Sequence, residues 1–334
     1  STDGGVNWTT VSALDANFTY FRCIAYGNGK FVVTGNKNTT YDSLAYSTDA
    51  INWTTVSLGS SLEDDWKGIT YGGGKFVAVA RAGSNNRCMA STDGINWSSG
   101  SGLDTGSVWE SVVYDGSKFV AVASSGTLRA AYSNDGFIWS TNSTMDATFP
   151  QSSSWKDITY GNGYLVAVAW TGDTKIVYST DGYTWNGVSV PAYINPETSG
   201  NSSFYQTVMW NGIIYGDGKF VAVSTYSTAD KGVSNVMYST GGSPLNRFAA
   251  VANSGGYDLG MYSDDGSNWS LIGTELGDQT WTSVTYGNGK YVAVADYSST
   301  TNKKIGYSYN GINWETDPAL SPEDNSWKSV VYAP

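Results

Sequence analysis

The chain has 334 residues, of which 14% are charged, a net charge of −11 and no histidine. Without imidazole the commonest general base and metal ligand are missing, and no Ser–His or Cys–His nucleophile pair can form. With 13 Lys and 5 Arg scattered along an acidic chain, a basic groove for a phosphate backbone is excluded and no nucleic-acid partner is expected.

Forty Gly, 24 Tyr and 14 Trp among many Ser, Thr and Asn describe short strands joined by polar turns, with almost no helix. No apolar run approaches the roughly 20 residues of a membrane span, so no membrane insertion is expected. No secretory leader is visible. The chain opens at Ser1 inside a repeat, so residues 1–334 are read as a single domain belonging to a longer chain. Cys23 and Cys88 fall in non-equivalent strands and are expected to be unpaired, small and buried.

Two motifs alternate from the N-terminus onward. The first, W-x-x-Φ-x-Y-G-x-G-K-F-V-A-V, reads as a strand, a glycine turn and a second strand. It occupies Phe21–Val33, Trp66–Val79, Trp109–Val122, Trp155–Val168 and Trp281–Val294, with a looser copy at Met209–Val223 and a half copy at Trp327–Tyr332. The second is a turn, S-x-D-G-x-x-W. Its copies are Ser47–Trp53, Ser91–Trp97, Ser133–Trp139, Ser179–Trp185 and Ser263–Trp269, with variants at Ser1–Trp8 and Ser308–Trp314. Counting the Ser1 variant, the first five turns in the chain are spaced by 46, 44, 42 and 46 residues. Four strands per period of 40–50 residues predict an all-β propeller of four-stranded antiparallel blades.

In each turn Asp is placed to bond its own backbone and Gly to take the left-handed position. The following Trp is expected to pack between blades. The structural set is Asp49, Trp53, Asp93, Trp97, Asp135, Trp139, Asp181, Trp185, Asp265, Trp269 and Trp314. Alternate residues of the KFVAVA strand should face the two neighbouring blades, with small Ala letting the sheets approach. Between Ser179 and Ser263 the pattern is redistributed, with an insertion at Pro191–Gln206 and a damaged turn at Tyr238–Gly242 running into Arg247–Ala252. Seven copies of the KFVAV-type strand favour seven blades; eight positions with defective blades is the alternative.

The S-x-D-G-x-x-W turn resembles the Asp-box, or BNR repeat, of sialidase-type propellers, and the repeats look like those of phage structural and bacterial surface proteins. In that family the box is a structural turn away from the catalytic centre. A sialidase would need three converging Arg, a Tyr–Glu pair and an acid Asp. The five Arg here are Arg22, Arg81, Arg87, Arg129 and Arg247, of which Arg81, Arg87 and Arg129 lie in or beside loops of adjacent blades. A two-carboxylate glycosidase would draw on Glu63, Asp64, Asp65, Asp104, Glu110 and Asp157. No phosphate loop or calcium loop is present, so no cofactor and no metal are expected.

In a four-stranded meander the 1–2 and 3–4 turns share one face, and the 2–3 and 4–1 loops share the other. The first pair is nearly uniform between repeats, and all the variety lies in the second, as in the 2–3 loop Arg81–Arg87. Binding normally resides in loops carried on a rigid scaffold. Candidate ligand-contacting residues there are Tyr41, Arg81, Asn85, Arg87, Trp170, Tyr193, Tyr205, Tyr226 and Tyr297. The sequence thus points to a non-enzymatic module, extracellular, cell-surface or virion-borne, that recognises a glycan or protein receptor. Membership of a phage fibre, capsid decoration or other assembly, with neighbouring subunits as partners, is the alternative; a glycoside hydrolase is the third.

Overall fold

The computed structural model describes residues 18, 20–36, 44–59, 62, 65–81, 87–188, 209–216, 219–225, 259–262, 270–273, 281–295, 305–309, 314–316 and 327–333. The first sheet is β1 (Tyr20–Gly27), β2 (Lys30–Asn36), β3 (Leu44–Ser47) and β4 (Thr54–Val56). The second is β5 (Trp66–Gly72), β6 (Lys75–Ala80), β7 (Cys88–Ser91) and β8 (Ser98–Ser99). The third is β9 (Val108–Tyr114), β10 (Phe119–Ser125) and β11 (Ala130–Ser133). Ser140 adds a one-residue fourth strand to it by exchanging both backbone hydrogen bonds with Tyr132, each 2.9 Å. The fourth is β12 (Trp155–Gly161), β13 (Tyr164–Ala169), β14 (Ile176–Ser179) and β15 (Asn186–Gly187).

Next come two pairs, β16 (Met209–Gly216) with β17 (Lys219–Thr225), and β18 (Leu259–Tyr262) with β19 (Ser270–Gly273). β18 lies against β17. The last sheet is β20 (Trp281–Gly287), β21 (Lys290–Ala295), β22 (Ile305–Ser308) and β23 (Glu315–Thr316). Every strand pair in these sheets joins sequence neighbours antiparallel, so each sheet is a meander. The fold is an all-β propeller, with five blades of four antiparallel strands among the described residues. The damaged turn and Arg247–Ala252 lie outside them.

The first strands β1, β5, β9, β12, β16 and β20 pack in succession, each against the next. The segment 327–333 follows β20: the Thr282 hydroxyl donates to the Trp327 carbonyl at 2.7 Å, and the Val330 amide to Ser283 Oγ at 3.3 Å. On its other side, Ser329 Oγ lies 4.0 Å from Cys23 Sγ on β1. The core is therefore a series of layers between blades rather than one central mass. Phe76, Ala78 and Ala80 of β6 join Val32, Leu44 and Trp66 in one layer, and Val77 and Val79 join Trp109, Phe119 and Trp139 in the next. This is the expected alternation of KFVAVA, and the fully buried Ala side chains mark the close approach.

The recurring turns do what their chemistry predicts. In Ser91–Trp97, Asp93 Oδ1 accepts from the Ser91 hydroxyl at 2.9 Å and from the Ile95 and Asn96 amides at 2.8 and 2.7 Å. Asp49, Asp135 and Asp181 repeat the pattern. Burial pushes the Asp181 carboxyl up, but the Thr184 and Tyr183 amides and the Ser179 hydroxyl outweigh it and leave the pKa at about 2. Trp139, Trp185 and Trp314 are buried, Trp53 and Trp97 partly so. Asp265 and Trp269 lie outside the described residues. One turn departs from the others: position 50 is Ala, held at φ +60°, where Gly94, Gly136 and Gly182 sit at +73°, +77° and +74°.

In the YGNGK hairpins the two glycines play different parts. The positive-φ pair is Asn28–Gly29, Gly73–Gly74, Asn162–Gly163 or Asn288–Gly289. The Gly before each pair serves packing: a Cβ on Gly27 would stand 2.0 Å from the Tyr71 ring of the next blade, and one on Gly161 1.8 Å from Tyr215. The Lys that follows ties blades together. Lys75 Nζ donates to the Asp135 carbonyl at 2.8 Å and lies 5.3 Å from the Phe137 ring centre, and Lys118 Nζ lies 4.9 Å from that of Tyr183.

Almost no helix forms, as composition indicates. Among the described residues there is one, α1 (Ser143–Thr148), in a 4–1 loop. Asn142 caps it by accepting from the Met145 amide at 2.8 Å, and burial of Met145 and Phe149 holds it against the blades. Cys88 and Cys23 are free; Cys88 is buried as expected, whereas Cys23 is only partly so because it faces the inner ring.

Candidate functional site

Six first strands share an irregularity one residue after their leading aromatic. Pairing skips a residue between Phe21 and Cys23, Trp66 and Gly68, Trp109 and Ser111, Trp155 and Asp157, Trp210 and Gly212, and Trp281 and Ser283. The residues that the register skips are Arg22, Lys67, Glu110, Lys156, Asn211 and Thr282, and Lys328 holds the equivalent place after Trp327. A bulge of this kind re-aims a side chain and is common beside functional sites. The buried Trp anchors the strand, the bulge frees the next residue, and the strand start places it at the face of the 2–3 and 4–1 loops.

These residues form one charged group. Glu110 is buried, and its Oε1 accepts from Lys156 Nζ at 2.7 Å and from the Ser124 hydroxyl at 2.7 Å. Arg81 Nε reaches the same oxygen at 3.5 Å, an ion pair without a hydrogen bond. Lys156 Nζ also lies 5.0 Å from the ring centre of Trp170, which is 38% exposed. Arg22 forks onto Asp65 with contacts of 3.2 and 3.0 Å. Lys67 stands on β5 between Arg22 of β1 and Glu110 of β9. Burial pulls its pKa down; Glu110 and Cys23 oppose this, and Arg22 and Arg81 reinforce it. Four cations thus meet two anions within a chain of net charge −11.

Below them Asp157 joins three first strands. It accepts from the Ser111 hydroxyl at 2.6 Å, the Ile213 amide at 2.7 Å and the Ile158 amide at 2.9 Å. Burial pushes its carboxyl up to about 6 against those bonds and the nearby Lys67 charge.

The structure brings Arg81 and Trp170 together with Glu110, and separates Arg87 and Arg129 from them; Arg247 lies outside the described residues. Arg87 is buried, with Nε donating to the Thr105 carbonyl at 3.1 Å. Arg129 donates to the carbonyls of Gln151 and Gly126, both at 2.9 Å. Arg81, Arg87 and Arg129 therefore do not converge on one point. Tyr41, Asn85, Tyr193, Tyr205, Tyr226 and Tyr297 lie outside the described residues, as do Glu63 and Asp64. Of the remaining carboxylates, Asp104 binds its own loop through the Ser107 hydroxyl at 2.6 Å. Among the described residues no group of three or more His, Cys, Asp or Glu could hold a metal ion, and no helix is long and apolar enough to cross a membrane.

Reading loops for variety missed Arg22, Lys67 and Lys156. The signal that would have found them was present: in every repeat, the residue after the first-strand aromatic.

No protein-family model and no curated protein matches this chain. Solved structures do. Virginiamycin B lyase from Staphylococcus aureus with quinupristin superposes with a TM-score of 0.60 at 12% identity, covering 94% of this chain and 91% of that one. YCF48 bound to D1 peptide gives 0.58 at 13%, covering 93% and 86%, and YCF48 from Cyanidioschyzon merolae 0.57 at 13%, covering 91% and 87%. The shared feature is the β-propeller. At these identities the likeness carries the fold and no activity.

Proposed function

We propose that this chain is a non-enzymatic binding propeller that takes a glycan or protein partner on the face of its 2–3 and 4–1 loops. One observation carries the reading: bulged inner-strand residues gather Arg22, Lys67 and Lys156 around Glu110, next to Arg81 and Trp170. Rigid first strands hold this charged and aromatic group on the face where the repeats differ. The opposite face is filled by repeated turns whose polar groups bond one another. With no histidine in the chain, and with Glu110 and Asp157 committed to internal hydrogen bonds, a binding role is favoured over hydrolysis.

In this reading the ring has seven positions, the seventh entered by 327–333 between β20 and β1, and the turns are Asp-boxes. The setting is extracellular, cell-surface or virion. The test is a glycan array run alongside a pull-down with intact protein; failure of both removes the proposal. A structural role in a fibre or other assembly is the second reading, favoured by Ile51, Ile138 and Tyr309, each more than 60% exposed at the tips of the uniform turns. Sedimentation showing a monomer at all concentrations would remove it.

A further inference from the structure

We propose that Lys67 and Arg81 form a seat for one carboxylate-sized oxyanion at the inner end of the variable face, flanked by Arg22, Lys156 and Trp170. The inference rests on the binding reading above and names the chemical group that the face recognises.

The seven positions that follow the first-strand aromatic hold Arg22, Lys67, Lys156 and Lys328. At 18 Lys and Arg in 334 residues, chance would put fewer than one cation there. The concentration occurs on an acidic chain and at bulges, where no packing need calls for a charge.

Asp65 is taken up by the fork of Arg22, and Glu110 by Lys156 and Ser124. That leaves two cations. Lys67 makes no hydrogen bond to any described residue and feels the carboxylates of Glu110 and Asp157 only through space. Arg81 makes no side-chain hydrogen bond among them either: its Nε is sealed from solvent with the Glu110 contact at 3.5 Å, while its side chain as a whole is 36% exposed. A sheltered cation that has lost water without gaining a hydrogen bond is costly, and an arriving anion would supply the missing acceptors. The lowered pKa of Lys67 points the same way, since burial heads its causes.

Arg22, Lys67, Arg81 and Lys156 against Asp65, Glu110 and Asp157 leave one positive charge in excess, which suits one carboxylate, whereas a polyanion would meet the repulsion of the remaining surface. Trp170 offers an exposed ring beside the seat, suited to the flat face of a sugar or an apolar side chain. A uronate sugar and a free peptide C-terminus both present this chemistry.

The test is ligand titration at low salt, followed by saturation-transfer NMR, with glucuronate against glucose and a free-terminus dipeptide against its amide. At least one of the two acids should bind and neither neutral twin should; which acid binds identifies the source. Arg81→Gln and Lys67→Met should each weaken binding about tenfold, equivalent to about 1.4 kcal/mol, while Lys30→Gln, a charge loss in a hairpin of the opposite face, should leave it unchanged. Lys67→Met is first checked by thermal melting; if it fails to fold, Arg81→Gln carries the test, because that side chain is hydrogen-bonded to nothing described. Equal binding of the neutral twins, an equal effect of Lys30→Gln, or no binding by either acid overturns the seat. A partner captured on the array with undiminished affinity for Arg81→Gln would overturn the seat and leave the binding role standing. Titration as expected beside an empty array and pull-down would do the reverse.

Discussion

Changing Gly136 to Ala perturbs the recurring turn at its tightest point. The backbone there has φ +77°, and an added Cβ would stand 2.6 Å from Val77 Cγ2 in the preceding blade. A left-handed L-residue costs about 1–2 kcal/mol, and an extra methyl forced into a packed contact about 1–3 kcal/mol more. Together these are about 2–5 kcal/mol, a large share of a typical stability of about 5–15 kcal/mol. Ala50 supplies the converse, because it already bears the left-handed strain at φ +60°. Ala50→Gly should relieve about 1–2 kcal/mol and lose about 0.4–1 kcal/mol to the freer unfolded chain, leaving a gain of roughly 0.5–1 kcal/mol. At about 2.1 cal/mol/K of unfolding entropy per residue, 1 kcal/mol moves the Tm of a chain this long by only about 1–2 °C. Urea titration, with the midpoint read at constant slope, is therefore the better assay. A Gly136→Ala midpoint equal to that of the parent, or a lower midpoint for Ala50→Gly, would refute the reasoning.

Asp157 should give stability an unusual pH slope. Its folded carboxyl keeps the proton up to about 6, whereas the unfolded one releases it near the ordinary 3.8, so stability falls as pH rises between these values. The drop is about 3 kcal/mol at about 1.36 kcal/mol per unit; urea midpoints at pH 4 and 6.5 would show it, and Asp157→Asn should flatten it. The box carboxylates act in the opposite sense: backbone and hydroxyl donors hold Asp93, Asp135 and Asp181 low, so their support is lost as pH falls below the ordinary carboxylate range. Asp93→Ala leaves the Ile95 and Asn96 amides without their acceptor and should cost about 1–2 kcal/mol by urea titration. Gly161→Ala, which drives a methyl into the Tyr215 ring, should lower the midpoint more than Asp93→Ala does. Burial pushes the Cys88 thiol up to about 12, so iodoacetamide should modify Cys88 only under unfolding conditions, as peptide mapping would show.

Much of this protein is local chemistry, and that part the sequence determined by itself. A repeat of 42 to 46 residues, a Gly-bearing hairpin and a self-bonding Asp turn require no distant partner, so the meander and its uniform face were legible in the chain. The alternation of Phe76, Val77, Ala78 and Val79 between two layers follows from the strand period of two. What tertiary structure decided depends on contacts between repeats. The Gly of each Tyr-Gly pair reads as a turn residue until the next blade's tyrosine is laid on it. Lys75 reads as a solvent-facing charge until it meets Asp135 and Phe137 sixty residues later. The inner ring is the clearest case. Arg22, Lys67, Glu110 and Lys156 lie more than 40 residues apart and look like ordinary strand charges. A one-residue bulge in each first strand, repeated around an axis, places them side by side, because ring closure turns equal positions in sequence into neighbours in space.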